Sequence, residues 1–167
     1  TGGAGSVNYC YNFSLNALTG STGCVDGCEI GGLTNINKGN MSGFQVAGIG
    51  NITRDSVDGV QLGGIYNITG SVKGLQASGI TNINNGNLKG VQIGGIYNKT
   101  KELDGLQIGL INVADTLKKG ISIGFISIIK KGFYDEWTVS TADYMNFAIS
   151  YKFGLKRFYN IYSAGFN

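Results

Sequence analysis

The stretch GVQIGGIYN, residues 90–98, decides the fold of this chain, because it is one copy of a short repeat. Its valine, glutamine and isoleucine alternate apolar, polar, apolar, and two adjacent glycines then interrupt the alternation before a terminal asparagine. Almost the same string, GVQLGGIYN, stands at residues 59–67. A pattern that recurs along a chain predicts a repeat architecture.

The repeat has a period of 15 or 16 residues, measured between the glycines that open successive copies. An earlier, degenerate copy begins at Asn12, so the chain contains about eight units. One unit of this length cannot bury its own apolar residues, and stacked units can. The opening glycines are Gly27, Gly43, Gly59, Gly74, Gly90, Gly105 and Gly120.

Aligned copies show columns of constant character. The second and fourth columns are apolar, which predicts a half-buried strand with the glutamines of the third column on the outer face. A seventh, aliphatic column runs from Leu33 to Ile126 and precedes a column of asparagines. A last apolar column lies two positions before the next glycine in most copies. The glutamine column is Gln45, Gln61, Gln76, Gln92 and Gln107, and it is the candidate interaction face, together with the small residues beside it.

The glycine pairs at residues 63–64 and 94–95 allow the backbone to turn a corner, so that each copy forms one turn of a coil. Stacked turns would lie about 4.8 Å apart, with the aliphatic columns as the core and the asparagines as amide ladders. We therefore predict an all-β fold, a β-solenoid of about seven to eight 15–16-residue coils over residues 1–133, with an irregular N-terminal cap. The alternative is an antiparallel β-barrel of membrane-crossing strands, in which the aliphatic seventh column would face a polar lumen.

The repeat stops after Tyr134. The strings MNFAISYKFGL (145–155) and FYNIYSAGF (158–166) alternate around a turn at GLKR, which predicts an antiparallel hairpin rich in aromatic residues. We expect residues 134–167 to form this hairpin as a cap on the last coil. The alternative is that they begin a further β element or a partner surface.

Composition argues against several classes of function. The net charge of +3, without a basic stripe interleaved with aromatics, does not suggest nucleic acid. The absence of histidine removes most metal sites and histidine-based catalysis. No phosphate loop and no opposed pair of carboxylate columns is present. We therefore expect no enzymatic activity and no cofactor.

The three cysteines are too few for a convincing zinc site, although Cys24 and Cys28 have a C-x₃-C spacing. Cys28 lies in an apolar column and is interpreted as a small buried hydrophobe. Cys10 and Cys24 are about one coil apart and are candidates for a disulfide, with the odd count as the counter-argument.

No stretch approaches the roughly 18 apolar residues of a membrane helix. The start, TGGAGSVNYC, has neither a basic nor an apolar signal region, so we expect either a cytosolic chain or a signal already removed.

The strings GVQIGGIYN, GLQIGLINVADTLKKG and GISIGFISIIKKG resemble a family of glycine-rich bacterial surface-repeat proteins, known from spirochaetes and common among Bacteroidetes. The likeness covers residues 12 to about 133, and the tail KRFYNIYSAGF also looks like Bacteroidetes members. The resemblance implies export to the cell envelope, outer membrane or cell surface, and it brings no catalytic residues. It further implies O-glycosylation at Asp-Ser/Thr before an aliphatic residue, which makes Ser56 and Thr116 candidates.

The expected function is therefore a rigid envelope scaffold or binding surface for a protein or a glycan. The alternative is an outer-membrane β-barrel or a subunit of an outer-membrane complex, with membrane association through the C-terminal hairpin or a segment outside this sequence.

Overall fold

The computed structural model describes residues 9–131, 134–142, 145–155 and 158–166, with side-chain burial for the first range. The regular elements in these ranges are all β-strands. Their bounds are β1 Cys10–Asn16, β2 Thr19–Thr22, β3 Cys24–Gly31, β4 Thr34–Asn37, β5 Met41–Ala47, β6 Gly50–Gly63, β7 Tyr66–Ser78, β8 Thr81–Asn84, β9 Asn87–Gly94, β10 Tyr97–Ile108, β11 Ile111–Ile123, β12 Ile126–Lys131, β13 Tyr134–Ala142, β14 Met145–Leu155 and β15 Phe158–Phe166.

The first twelve strands form a β-solenoid of about eight turns, as the repeat predicts. Each coil pairs in parallel with the next, and the register joins equivalent positions of successive copies. Gly59 pairs with Gly74, Gln61 with Gln76, and the asparagines of the same coils pair likewise. Residues 10–123 therefore pair as parallel coils, and the antiparallel alternative is not the arrangement observed there.

The chain divides into two compact units after Ile128, slightly before the predicted boundary at residue 133. The second unit contains a three-stranded antiparallel sheet in the order β13-β14-β15. The predicted pairing of β14 with β15 is confirmed, with Tyr151 opposite Tyr162, and β13 is a third strand that the sequence reading did not include. The role of this unit as a cap stays a prediction.

The interior of the solenoid contains the predicted asparagine column and last apolar column, but the strand with the glutamines faces the opposite way from the prediction. The prediction that the glutamine column faces outward is wrong, because Gln45, Gln61, Gln76, Gln92 and Gln107 are all 0% exposed. The neighbouring aliphatic columns point to the outside, as do the exposed residues of the seventh column. Only the last apolar column is a buried hydrophobic stack, and it consists of Val25, Met41, Val57, Val72, Leu88, Leu103 and Leu117.

The inversion has a simple physical reason. In a strand, neighbouring residues point to opposite faces, so adjacent columns of the repeat must face opposite ways. The alternation does not say which of the two faces is the inner one. A buried amide is costly only if it lacks partners, and stacking supplies every amide with another amide one coil away. The interior therefore accepts the polar columns, and the aliphatic columns must take the outside.

Glycines make the close stacking of the coils possible. The opening glycine of each copy has a φ between 110° and 148°, and a Cβ on Gly74 would overlap the carbonyl oxygen of Gly59 in the preceding coil. The corner lies at Gly64–Ile65, as predicted, but Gly64 does not have a positive φ. Glycine is required at that corner because a Cβ there would overlap the carbonyl oxygen of Gly48.

Candidate binding surface and its amide core

The asparagine column forms the predicted ladder through the interior. The Nδ2 of Asn51 donates to the Oδ1 of Asn67 at 2.9 Å and to the backbone carbonyl of Leu62 at 2.7 Å. The same pair of bonds, one to the next asparagine and one to a backbone carbonyl, recurs from Asn35 to Asn98, so both amide hydrogens are used there. The ladder runs through Asn16, Asn35, Asn51, Asn67, Asn82, Asn98 and Asn112.

The glutamine column forms a second ladder that runs the opposite way. The Nε2 of Gln76 donates back to the Oε1 of Gln61 at 2.9 Å, and Gln92 donates back to Gln76 at 2.8 Å. The asparagines donate to the following coil, whereas the glutamines donate to the preceding one. The amide dipoles of the two ladders therefore oppose each other along the solenoid, and each ladder has one acceptor end.

Glu29 occupies the acceptor end of the glutamine ladder. It is fully buried and accepts from the Nε2 of Gln45 at 2.7 Å and from the Oγ1 of Thr22 at 3.3 Å. The residue at this end has to accept a hydrogen bond from the ladder and does not donate one to it. A carboxylate can do this, because it only accepts hydrogen bonds. Burial raises the pKa of the Glu29 carboxyl above its usual range, and the hydrogen bonds from Gln45 and Thr22 oppose that rise.

Beyond the other end of the two ladders, the next coil carries serines in place of the amides. Ser122 replaces glutamine in the last coil, and its Oγ lies 3.1 Å from the Oγ of Ser127. The serine side chain is shorter than glutamine, and the buried Oε1 of Gln107 has no hydrogen-bond partner among the described residues. The hydrogen-bonding capacity of the buried amides is therefore less completely used next to the last coil than in the inner coils.

The candidate interaction face of the sequence prediction is consequently inaccessible. The small residues beside the glutamines also turn inward, because a Cβ on Gly94 would crowd the Oδ1 of Asn98. One signal in the sequence could have revealed this. The third column keeps glutamine in five successive copies, whereas the neighbouring columns vary among Phe, Val, Leu, Ile and Ala. A ladder requires one residue type at each step, while an outer aliphatic position does not.

The outer surface is defined by three apolar strips. The apolar ridge is the protruding corner of the coils, where Ile65 is 44% and Phe125 78% exposed. The ridge consists of Leu33, Ile49, Ile65, Ile80, Ile96, Leu110 and Phe125. The first flank, before the ridge, consists of Cys28, Phe44, Val60, Leu75, Val91, Leu106 and Ile121 with Ile30, Val46, Leu62, Ala77, Ile93, Ile108 and Ile123. The second flank, after it, consists of Ile36, Ile52, Ile68, Ile83, Lys99, Val113 and Ile128.

Charged side chains are concentrated on another part of the coil. In the three apolar strips Lys99 is the one charged residue. Across the coil, Lys73 Nζ lies 2.8 Å from Asp58 Oδ2, and Lys118 pairs with Glu102 at 2.6 Å. In the first of these pairs the two residues are register partners in adjacent coils, and the next step along the same edge pairs the like-charged Lys73 and Lys89. The charged edge consists of Asp26, Ser42, Asp58, Lys73, Lys89, Asp104 and Lys119.

The cysteines occupy two kinds of position. Cys10 and Cys24 form the disulfide that their spacing suggested, and they are register partners in adjacent coils with Cα atoms 4.4 Å apart. Cys28 is a free thiol on the first flank, only half-buried, so its interpretation as a core residue is wrong. Among the described residues, no group of three or more His, Cys, Asp or Glu is placed to hold a metal ion.

The two candidate glycosylation residues lie at equivalent outward positions of their coils. Ser56 and Thr116 are both half-buried, and the Oγ of Ser56 bonds the Oδ1 of Asn40 at 2.7 Å. Their modification stays a prediction.

Comparison with protein-family models, with curated proteins and with solved structures finds no match. Within the part of the chain that the structure describes, no helix is long and apolar enough to cross a membrane.

Proposed function

We propose that this protein is a non-enzymatic component of the bacterial cell envelope that serves as a rigid scaffold with a binding surface. The observation that carries the proposal is an apolar ridge that is mostly exposed, with apolar flanks that are half-buried to exposed, on a solenoid whose interior contains two amide ladders. Isolated exposed aliphatic residues need no explanation, but contiguous columns of them mark an interaction surface. The binding surface is therefore these strips and not the glutamine column.

Two further features support an envelope scaffold. The Cys10–Cys24 disulfide joins adjacent coils, and disulfides persist mainly in oxidising compartments. The two amide ladders and the coil-to-coil backbone pairing hold each coil in a fixed register to the next, which suits a rigid support.

The location can be tested in the source bacterium with a tagged, chromosomally expressed chain. We expect the tagged protein in the envelope fraction, accessible to protease after opening of the outer membrane, with Cys10 and Cys24 resistant to thiol labelling until reduced. Recovery in the cytosolic fraction with both thiols free would refute the envelope function. A cytosolic and a periplasmic marker protein, fractionated in parallel, provide the controls.

A second candidate is a subunit of an outer-membrane complex, which the same exposed strips also favour. In that case mild detergent extraction yields the chain at a size well above its own 17.6 kDa. The scaffold proposal instead expects a single chain after extraction, and a protein or glycan partner found by direct binding.

A further inference from the structure

We propose that the solenoid docks on a lipid surface, with the apolar ridge in the acyl-chain region and the charged edge in water. The inference rests on the proposed envelope function, because it names the partner of that same binding surface. Four properties of the surface favour lipid over another protein: its chemistry, its satisfied backbone, its shape and its distribution of charge.

The chemistry of the surface is that of hydrocarbon. The ridge and first flank contain aliphatic residues, two phenylalanines and Cys28, with no hydroxyl, amide or charged side chain. Protein interfaces instead carry about one hydrogen bond per 100–200 Å² and are enriched in tyrosine, tryptophan and arginine. The column between the ridge and the second flank carries Tyr66 and Tyr97 together with Thr34 and Thr81. Tyrosine suits the boundary between lipid and water.

The backbone N–H groups at the ridge have hydrogen-bond partners within the protein. Contact with hydrocarbon requires this, because lipid chains offer no hydrogen-bond partners. Ile65 N–H donates to the carbonyl of Ile49 at 2.7 Å, and Tyr66 N–H donates to the same oxygen at 3.1 Å. Ile80 N–H then donates to the carbonyl of Ile65 at 3.0 Å, and the pattern continues at Ile96. The inner coils therefore turn their corners without leaving these peptide groups dependent on water.

The shape of the surface argues against a second copy of the chain as the partner. Seven coils at about 4.8 Å spacing give a height of about 34 Å, and the side of the coil that carries a flank is about four residues or 13 Å wide. One flank therefore offers about 450 Å², and a pair of flanks would bury about 900 Å², less than the roughly 1,200–2,000 Å² of a stable interface. The ridge separates the flanks, so a flat partner covers only one, whereas fluid acyl chains cover both.

The charge distribution indicates how the chain would bind. The charged edge mixes both signs, with Asp58 facing Lys73 and Asp104 facing Lys119, so it is not a polybasic patch. Binding driven by apolar burial does not need anionic lipid and resists salt. The inference therefore predicts binding to uncharged phosphatidylcholine vesicles.

The test is flotation of the purified 167-residue chain with phosphatidylcholine vesicles in a sucrose gradient, at low salt and at about 1 M salt, where the screening length is only about 3 Å. The ridge variant carries Ile65→Lys and Ile96→Lys, both at exposed positions. The matched control carries Ser42→Lys and Asn85→Lys, which add the same charge at exposed positions away from the three strips.

We expect the wild type and the control to float at both salt concentrations, and the ridge variant to lose at least ten-fold in vesicle partitioning. Circular dichroism and thermal melting show whether each variant is folded. If the lysine pair prevents folding, the milder pair Ile65→Thr and Ile96→Thr is used, with a several-fold loss expected.

Three results would overturn the inference. The wild type could remain at the bottom of the gradient, or the ridge variant could float as the wild type does. Light scattering could instead show a vesicle-free dimer that the ridge variant converts to monomer, which would make the ridge a contact between copies. None of these results bears on fractionation or thiol oxidation in cells, so failure here and failure of the envelope function are distinguishable.

Discussion

Truncating a buried asparagine should destabilise this protein far more than truncating a nearby isoleucine. Asn67 is 0% exposed and belongs to the asparagine ladder, whereas Ile65, two residues earlier, is 44% exposed on the apolar ridge. A protein with an aliphatic core and polar surface would give the opposite order. The pair Asn67→Ala and Ile65→Ala therefore tests the inverted interior directly.

The magnitude follows from three hydrogen bonds. The Nδ2 of Asn67 donates to the Oδ1 of Asn82 at 3.0 Å and to the carbonyl of Ala77 at 2.7 Å, and its Oδ1 accepts from Asn51 at 2.9 Å. Alanine leaves one buried N–H without a partner and two carbonyl oxygens one donor short. Each orphaned group costs about 1–3 kcal/mol, with the oxygens at the lower end, so the sum is about 3–5 kcal/mol.

Ile65→Ala removes a side chain that is already nearly half in water. For a fully buried isoleucine, the change to alanine lowers the free energy of unfolding by about 2–5 kcal/mol. Because Ile65 is 44% exposed, we expect a loss of about 1 kcal/mol. With a urea m value of about 2 kcal/mol/M, the unfolding midpoint should fall by about 2 M for Asn67→Ala and by about 0.5 M for Ile65→Ala. Amide hydrogen exchange of the coils on either side would show whether the loss is local or global.

The isosteric change Asn67→Asp separates hydrogen bonding from cavity formation. The aspartate keeps an acceptor but loses the donor, and burial should raise its pKa, so the folded state binds the proton more tightly than the unfolded state does. Stability relative to the wild type should therefore fall as pH rises above about 4, by up to 1.4 kcal/mol per pH unit. Equal costs for Asn67→Ala and Ile65→Ala, or a flat pH profile for Asn67→Asp, would refute the reasoning.

Three further changes test the ends of the glutamine ladder and the stacking of the coils. Because burial raises the pKa of Glu29, wild-type stability should fall as pH rises from about 4.3 toward the folded pKa, and Glu29→Gln should remove this contribution to the pH slope. Ser122→Gln should supply a donor to the Oε1 of Gln107 and raise the free energy of unfolding by about 1 kcal/mol, measured by urea titration. Gly74→Ala should lower the free energy of unfolding by about 3 kcal/mol or more, because its φ is 127° and the added Cβ overlaps a carbonyl oxygen.

Each of these changes has an outcome that would count against it. An unchanged pH slope in Glu29→Gln would mean that Glu29 is not the group that binds the proton. Loss of stability in Ser122→Gln would show that the last coil has no room for the longer amide. Gly79→Ala is the comparison for Gly74→Ala, because a Cβ on Gly79 would also overlap a carbonyl oxygen, that of Gly64, but Gly79 does not have a positive φ. We expect Gly79→Ala to lower the free energy of unfolding by less than Gly74→Ala.

The sequence by itself determined the repeat, its period and the stacking of like residues. These follow from local pattern, because a unit of 15 or 16 residues that cannot fold alone must stack, and stacking in register places Gly59 beside Gly74 and Asn67 beside Asn82. The asparagine ladder, the Cys10–Cys24 pair and the antiparallel pairing of the final strings were accessible for the same reason.

Only the tertiary structure decided which face of each coil is inside. Alternation in GVQIGGIYN specifies two faces, and the usual preference for apolar burial assigned Val91 and Ile93 to the interior and Gln92 to water. The structure places Gln92 inside, bonded to Gln76 below it and Gln107 above it. An amide loses little on burial when an identical amide lies at hydrogen-bond distance on both sides, and that condition exists only after the coils have stacked.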